Sequence, residues 1–143
     1  MAKMTTEQAL AFRNSPIEDV IAETKIICID RDGTRKEVHI QIGRPYTEED
    51  QVAGCPVALY GLGGRMRDMH ASDTLSALCY AIRMAKFTFD EYVKYGGKIY
   101  YTADDDDEEI DSGEISVELL FPIIQPDVPI GYQGRPSSVF FGE

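Results

Sequence analysis

The chain has 143 residues, 43% of them hydrophobic and 27% charged, with a formal charge of −11. That length suits one domain with a core of its own, and no run of about 18 apolar residues is present to cross a membrane. A field of this sign repels nucleic acid and anionic membrane and attracts a basic partner.

Residues 4–12 read as a short helix, with Thr5 or Thr6 as cap and Ala9, Leu10 and Phe12 as its docking side chains. Asn14, Ser15 and Pro16 stop it. Residues 20–28 are rich in Ile and Val and predict a strand. Asp30, Arg31, Asp32 and Gly33 form a hairpin turn, since the Asp-Gly pair supplies a residue that takes positive φ. The next strand is clearer. Val38, Ile40 and Ile42 alternate with Glu37, His39 and Gln41, a period of two with one wet face. Gly43 and Pro45 end it, and residues 46–51 read as a polar loop.

Residues 55–62 predict a third strand, apolar on both sides and therefore central. Gly61, Gly63 and Gly64 then open a mobile loop carrying Arg65, Arg67 and Asp68, with Met66 and Met69 exposed. The strongest element is a helix over residues 73–95. Asp73 or Ser72 caps it, Leu75, Leu78, Ile82, Ala85, Phe89 and Val93 form its apolar stripe, and Gly96-Gly97 ends it in a left-handed turn. Residues 98–102 read as a fourth strand. Ile115, Val117, Leu119 and Phe121 alternate with Glu114, Ser116, Glu118 and Leu120, which predicts a fifth strand in a hairpin with the fourth. The expected order is α-β-β-β-α-β-β, an α+β fold with an antiparallel sheet of about five strands and one long helix across one face. Residues 1–121 form this single domain, and residues 122–143 form an extended tail rich in Pro and Gly.

The charge is concentrated. Asp104, Asp105, Asp106, Asp107, Glu108, Glu109, Asp111, Glu114 and Glu118 place nine acids within fifteen residues, and the other 16 acids nearly balance the 14 bases. No register of this run supplies calcium ligands at positions 1, 3, 5 and 12 with Gly at 6. Three readings stay open: a solvated loop tip, a contact for a basic protein surface, and a weak divalent cation site. His39 and His70 have no fixed spacing to Cys or carboxylates, so no metal site or cofactor is expected. Gly61, Leu62, Gly63, Gly64 and Arg65 lie between strand and helix like a phosphate loop, but lack its Gly-Lys-Ser/Thr ending. Cys28, Cys55 and Cys79 match no metal or redox spacing. They read as core thiols of a cytoplasmic protein, and residues 1–10 hold no apolar signal segment.

Ile42-Gly43-Arg44-Pro45, then Cys55-Pro56 with an apolar strand ending at Gly61-Leu62, then Asp73-Thr74-Leu75-Ser76-Ala77-Leu78 form a pattern. It resembles a family of small bacterial proteins described as a domain of unknown function, over residues 21–101. The resemblance implies an α+β fold and a bacterial origin and supplies no catalytic residues. Ala71 stands where that family favours Gly, and the acidic segment and the tail depart from it. Proteins of this size and charge are similar to immunity proteins that neutralise toxins.

The leading expectation is therefore a binding protein and not an enzyme. Asp104, Asp105, Asp106, Asp107, Glu108, Glu109 and Asp111 would meet a basic toxin domain, with Tyr100, Tyr101 and Tyr92 as anchors. The alternative is an accessory module whose tail docks on a neighbouring subunit or a second copy. An enzyme would need His39 or His70 beside Asp68 or Cys55. Neither nucleic acid nor membrane is an expected partner.

Overall fold

A computed structural model describes residues 5–102 and 113–122. Helix α1, Thr6–Arg13, starts where expected, because Thr5 and Gln8 form a reciprocal cap. The Thr5 hydroxyl accepts from the Gln8 amide at 3.1 Å, and the Gln8 side chain accepts from the Thr5 amide at 2.8 Å. The helix buries none of its residues, and Leu10 points to solvent instead of docking. A cation attaches it: the Arg65 guanidinium lies 5.5 Å from the Phe12 ring centre and donates to the Pro16 carbonyl at 2.8 Å.

Strands β1, Val20–Ile29, and β2, Arg35–Gly43, form the expected hairpin. Gly33 takes the positive φ of the turn, and the Asp30 amide donates to the Thr34 carbonyl at 2.8 Å. The register shifts between Val20 and Ala22, so Ile21 sits in an irregularity that bends the start of β1. Next come β3, Tyr46–Thr47, and β4, Ala53–Cys55, so the expected polar loop begins as a strand. The predicted strand over residues 55–62 is divided. Pro56 has no N–H to give a ladder, and the chain passes there from β4 to β5, Val57–Tyr60, in a different sheet. Strands β6, Gly64–Arg65, and β7, Met69–Ala71, then replace the expected mobile loop. Met66 and Met69 are half-buried against the core, not exposed.

Helix α2, Thr74–Lys94, matches the sequence reading at both ends. The Asp73 carboxylate accepts from the Ser76 amide at 2.7 Å, and Gly96 takes a φ of 103° at the close. Its buried face differs from the expected stripe. Ala77, Ala81, Ala85 and Phe89, at four-residue steps, are buried, while Leu75 is 70% exposed. Three alanines let the helix backbone lie close to the strands, so Leu78, Ile82 and Val93 flank that contact line and do not centre it.

Strand β8, Lys98–Tyr101, pairs with β1 from Ile26 to Ile29. The main sheet runs β6-β5-β2-β1-β8, antiparallel throughout, and a small sheet runs β3-β4-β7. The expected fifth strand shrinks to one bridge between Ile115 and Ile99. Ser116 then caps a short helix, α3, Val117–Leu120, its hydroxyl accepting from the Leu119 amide at 3.1 Å. The fold class holds, but the fifth strand of the main sheet is β6, beside β5 at the opposite edge, and not residues 115–121 beside β8.

The core lies between α2 and one face of the main sheet, built by Ile26, Cys28, Val38, Ile40, Val57, Leu59 and Ile99. Phe89, Ile26, Leu59 and Ile99 are its largest fully buried side chains, each contributing roughly 1.5–3 kcal/mol of gross burial. No helix among the described residues is long and apolar enough to cross a membrane. The expected tail beyond Pro122 lies outside the described residues.

Candidate functional site

Seven of the nine predicted partner-binding residues, Asp104, Asp105, Asp106, Asp107, Glu108, Glu109 and Asp111, lie outside the described residues. The two ends of their segment are described. The chain departs after Thr102, one step past the pairing of Tyr101 with Ile26. It returns at Gly113 and is pinned two residues later, where the Ile115 amide donates to the Ile99 carbonyl at 2.9 Å. Both ends of the acidic segment are thus tied to β8, the edge strand of the main sheet.

The remaining two predicted residues do not share a surface. Successive strand residues point to opposite faces. Tyr101 packs on the helix side against the core, its hydroxyl 3.4 Å from the Leu119 carbonyl oxygen. Tyr100 is half-buried and faces the other way. Tyr92 serves the hairpin turn at the far end of β8: its hydroxyl donates to Asp30 at 2.7 Å, and Lys36 lies 3.1 Å from the same carboxylate. Those two donors hold the Asp30 carboxyl below its ordinary range, and burial with the same bond pushes the Tyr92 hydroxyl far up.

Next to the root of the acidic segment lies an apolar cleft of about 450 Å³, which sequence reasoning missed. Its lining runs from residues 21–24 on β1 and Ile40 and Ile42 on β2, across Leu78 and Ile82 on α2, to Leu120, Phe121 and Pro122. Ile21 is 42% exposed and Leu119 55%. A second groove, of about 590 Å³, follows Tyr80, Arg83, Met84 and Phe87 on α2, with Met69 and His70 of β7 as its other wall. The helical spacing of those four residues was a usable signal, but the stronger Leu/Ile stripe obscured it.

The residues that an enzyme reading would need together have other partners. His39 lies on the open face of the main sheet, 2.5 Å from the Glu23 carboxylate, and Gln41 donates to the same carboxylate at 3.1 Å. These two contacts, Gln41 first, hold the Glu23 carboxyl below its usual range. His70 lies 3.7 Å from Glu48. Asp68 accepts from the Tyr46 hydroxyl at 2.6 Å and pairs with Arg65 at 3.3 Å. Arg65, the cation of the glycine-rich turn, is thereby committed to Asp68 and Pro16 and not presented to a phosphate. Burial pushes the Tyr46 hydroxyl up to about 12.

Cys55 donates to the Gly43 carbonyl at 3.4 Å inside the core, and burial pushes its thiol up to about 11 and that of Cys28 to about 12. Cys79 is exposed on α2, which corrects the expectation of three core thiols. Among the described residues no group of three or more His, Cys, Asp or Glu side chains is disposed to hold a metal ion. Comparison of the chain with models of known protein families, with curated proteins and with solved structures yields no match.

Proposed function

We propose that this chain is an acidic binding protein that inhibits a basic bacterial toxin domain, acting by occlusion and not by turnover. One observation carries the reading. The segment holding Asp104, Asp105, Asp106, Asp107, Glu108, Glu109 and Asp111 is tethered at both ends to one edge strand, beside an open apolar cleft. The two features divide the work of association. Charge of that density steers a basic surface and speeds encounter, but solvated carboxylates add little lasting affinity. Apolar walls such as Ile21, Leu78, Ile82 and Phe121 supply area that a partner side chain can bury. Three free thiols support a cytoplasmic site of action.

Inhibition is the direct test. A panel of basic ribonuclease and deoxyribonuclease toxin domains would be assayed with the wild-type chain and with a chain in which those seven acids are changed to Asn or Gln. The reading expects strong inhibition of at least one domain by wild type and a loss of at least tenfold in potency for the neutralised chain. Equal potency of the two chains, or inhibition of none, contradicts it.

A second reading, self-association as an accessory module, draws on the exposed Tyr80 and Phe87 of α2, 47% and 58% exposed. Light scattering on wild type and Phe87→Glu decides it: a mass that rises with concentration and collapses in the variant supports self-association.

A further inference from the structure

The groove along α2 has the outline of a packing hole. Tyr80, Arg83, Met84 and Phe87 line it at positions i, i+3, i+4 and i+7 of one helix, with Met69 and His70 as its second wall. Four side chains at that spacing are the set that surrounds one projecting side chain when two helices pack side by side. The groove's volume of about 590 Å³ has room for an aromatic ring. It lies to the solvent side of the line of Ala77, Ala81 and Ala85, which is already spent on the sheet.

The same helix carries a side chain suited to the hole. Phe87 stands 58% exposed on this face. In an antiparallel pair of α2 helices related by a twofold axis, Phe87 of one copy enters the hole of the other, and the reverse contact follows by symmetry. The centre of the hole lies between positions 83 and 84, so entry of Phe87 sets position 83 of one helix against position 87 of the other.

That register also matches charge. Asp90 of the second copy falls opposite Tyr80, three residues or about 4.5 Å along the axis from Arg83 and on the same flank, within reach of the guanidinium. Arg83 has its guanidinium 5.9 Å from the Tyr80 ring centre and enters none of the ion pairs among the described residues. The Asp90 side chain is 42% exposed and binds Lys86 of its own helix through one oxygen, at 2.9 Å. A parallel pair would instead set Arg83 against Arg83 and Asp90 against Asp90. The chain carries a charge of −11, yet residues 74–89 contain no Asp or Glu, so two copies meeting over the hole do not oppose carboxylate to carboxylate.

We propose that α2 pairs with α2 of a second copy in this antiparallel register, with Phe87 of each copy seated among Tyr80, Arg83, Met84 and Phe87 of the other and Arg83 bridged to Asp90. The pairing deepens the self-association reading and rests on it. It is independent of the acidic segment, and one helix face about 30 Å long makes a small interface, so the dimer is a weak one.

Sedimentation equilibrium of the full chain between about 10 µM and 1 mM is the test. The mass should rise reversibly with concentration and level off at twice that of the monomer. Phe87→Ala, Arg83→Asp and Asp90→Arg should each weaken association at least tenfold, while their unfolding midpoints in dilute solution stay close to the wild-type value. The double variant Arg83→Asp with Asp90→Arg restores the pair with its charges exchanged and should return to within threefold of wild type. A second measurement needs no variant: in a mixture of methyl-labelled and unlabelled wild-type chains, the Met84 methyl should show an intermolecular NMR contact with the Phe87 ring.

A monomer at every concentration overturns both the pairing and the self-association reading. A mass that climbs past the dimer overturns the twofold closure. A dimer that Phe87→Ala weakens but the charge exchange fails to restore leaves self-association standing and overturns the register.

Discussion

Phe87 and Phe89 lie two residues apart on one helix, and the structure assigns them opposite fates. Phe89 is fully buried, its ring centre 6.0 Å from that of Phe121 at a tilt of 42°, whereas Phe87 is 58% exposed. Two residues correspond to about 200° around a helix, so the two side chains must point nearly oppositely. Truncating a buried Phe removes its transfer free energy and leaves a cavity, so Phe89→Ala is expected to lower stability by about 3–5 kcal/mol. For a domain of this size that corresponds to roughly 9–15 °C in Tm. Phe87→Ala loses a little partly covered area and gains some helix propensity, leaving a net change within about 0.5 kcal/mol. Part of the Phe89 loss belongs to the ring pair. A double-mutant cycle with Phe121→Ala should return a coupling of roughly 0.5–1.5 kcal/mol. Urea unfolding followed by far-ultraviolet circular dichroism measures all four chains. Equal losses at the two helix positions, or a larger loss at Phe87, would mean that α2 packs in another rotation, and the cleft walls at Leu78 and Ile82 would go with it.

Gly54→Ala is expected to destabilise by roughly 1–3 kcal/mol, because an added methyl carbon would lie 2.5 Å from the ring carbon and hydroxyl oxygen of Tyr46, which is held by Asp68. In Gly54→Ala combined with Tyr46→Ala the clash is gone, so the penalty at Gly54 should disappear from the denaturation curves. Tyr92→Phe removes a donor that holds the Asp30 carboxyl below its ordinary 3.8. The folded chain binds that proton less readily than the unfolded chain, so the contribution is present above about pH 4 and is lost as pH falls through the folded value. The variant should therefore be less stable than wild type near neutrality and converge on it in acid; a gap independent of pH would refute the assignment. A thiol reagent should titrate Cys79 quickly in the native protein and Cys28 and Cys55 only after denaturation. Rapid reaction of all three in the native state would contradict their burial.

The sequence was most legible where one residue carries a local instruction. Asp73 and Gly96 bounded α2, Thr5 opened α1, and the Asp-Gly pair set the first hairpin, each through backbone chemistry within a few residues. Legibility failed where tertiary neighbours decide. Ala77 and Ala81 carry no hydrophobic bulk to announce them, yet they form the contact line of α2 because smallness permits close approach. Pro56 lies inside an apolar run that reads as one strand, and only the presence of a second sheet explains the break. Ile115 and Val117 do point inward, as their alternation suggested, but Ser116 converts the chain between them into a helix cap. The apolar cleft has no sequence signature at all. Its walls come from β1, β2, α2 and the chain around Leu120, and no local periodicity encodes how such distant elements converge.

Stopped-flow association with a basic toxin domain that the inhibition assay selects, followed across a range of ionic strength, weighs the role proposed for the seven acids. Between about 25 and 500 mM salt the screening length falls from roughly 20 to 4 Å, so the wild-type association rate should drop at least tenfold. The neutralised chain should begin at the slow rate and change little with salt. Two superimposable salt profiles would contradict charge-steered inhibition.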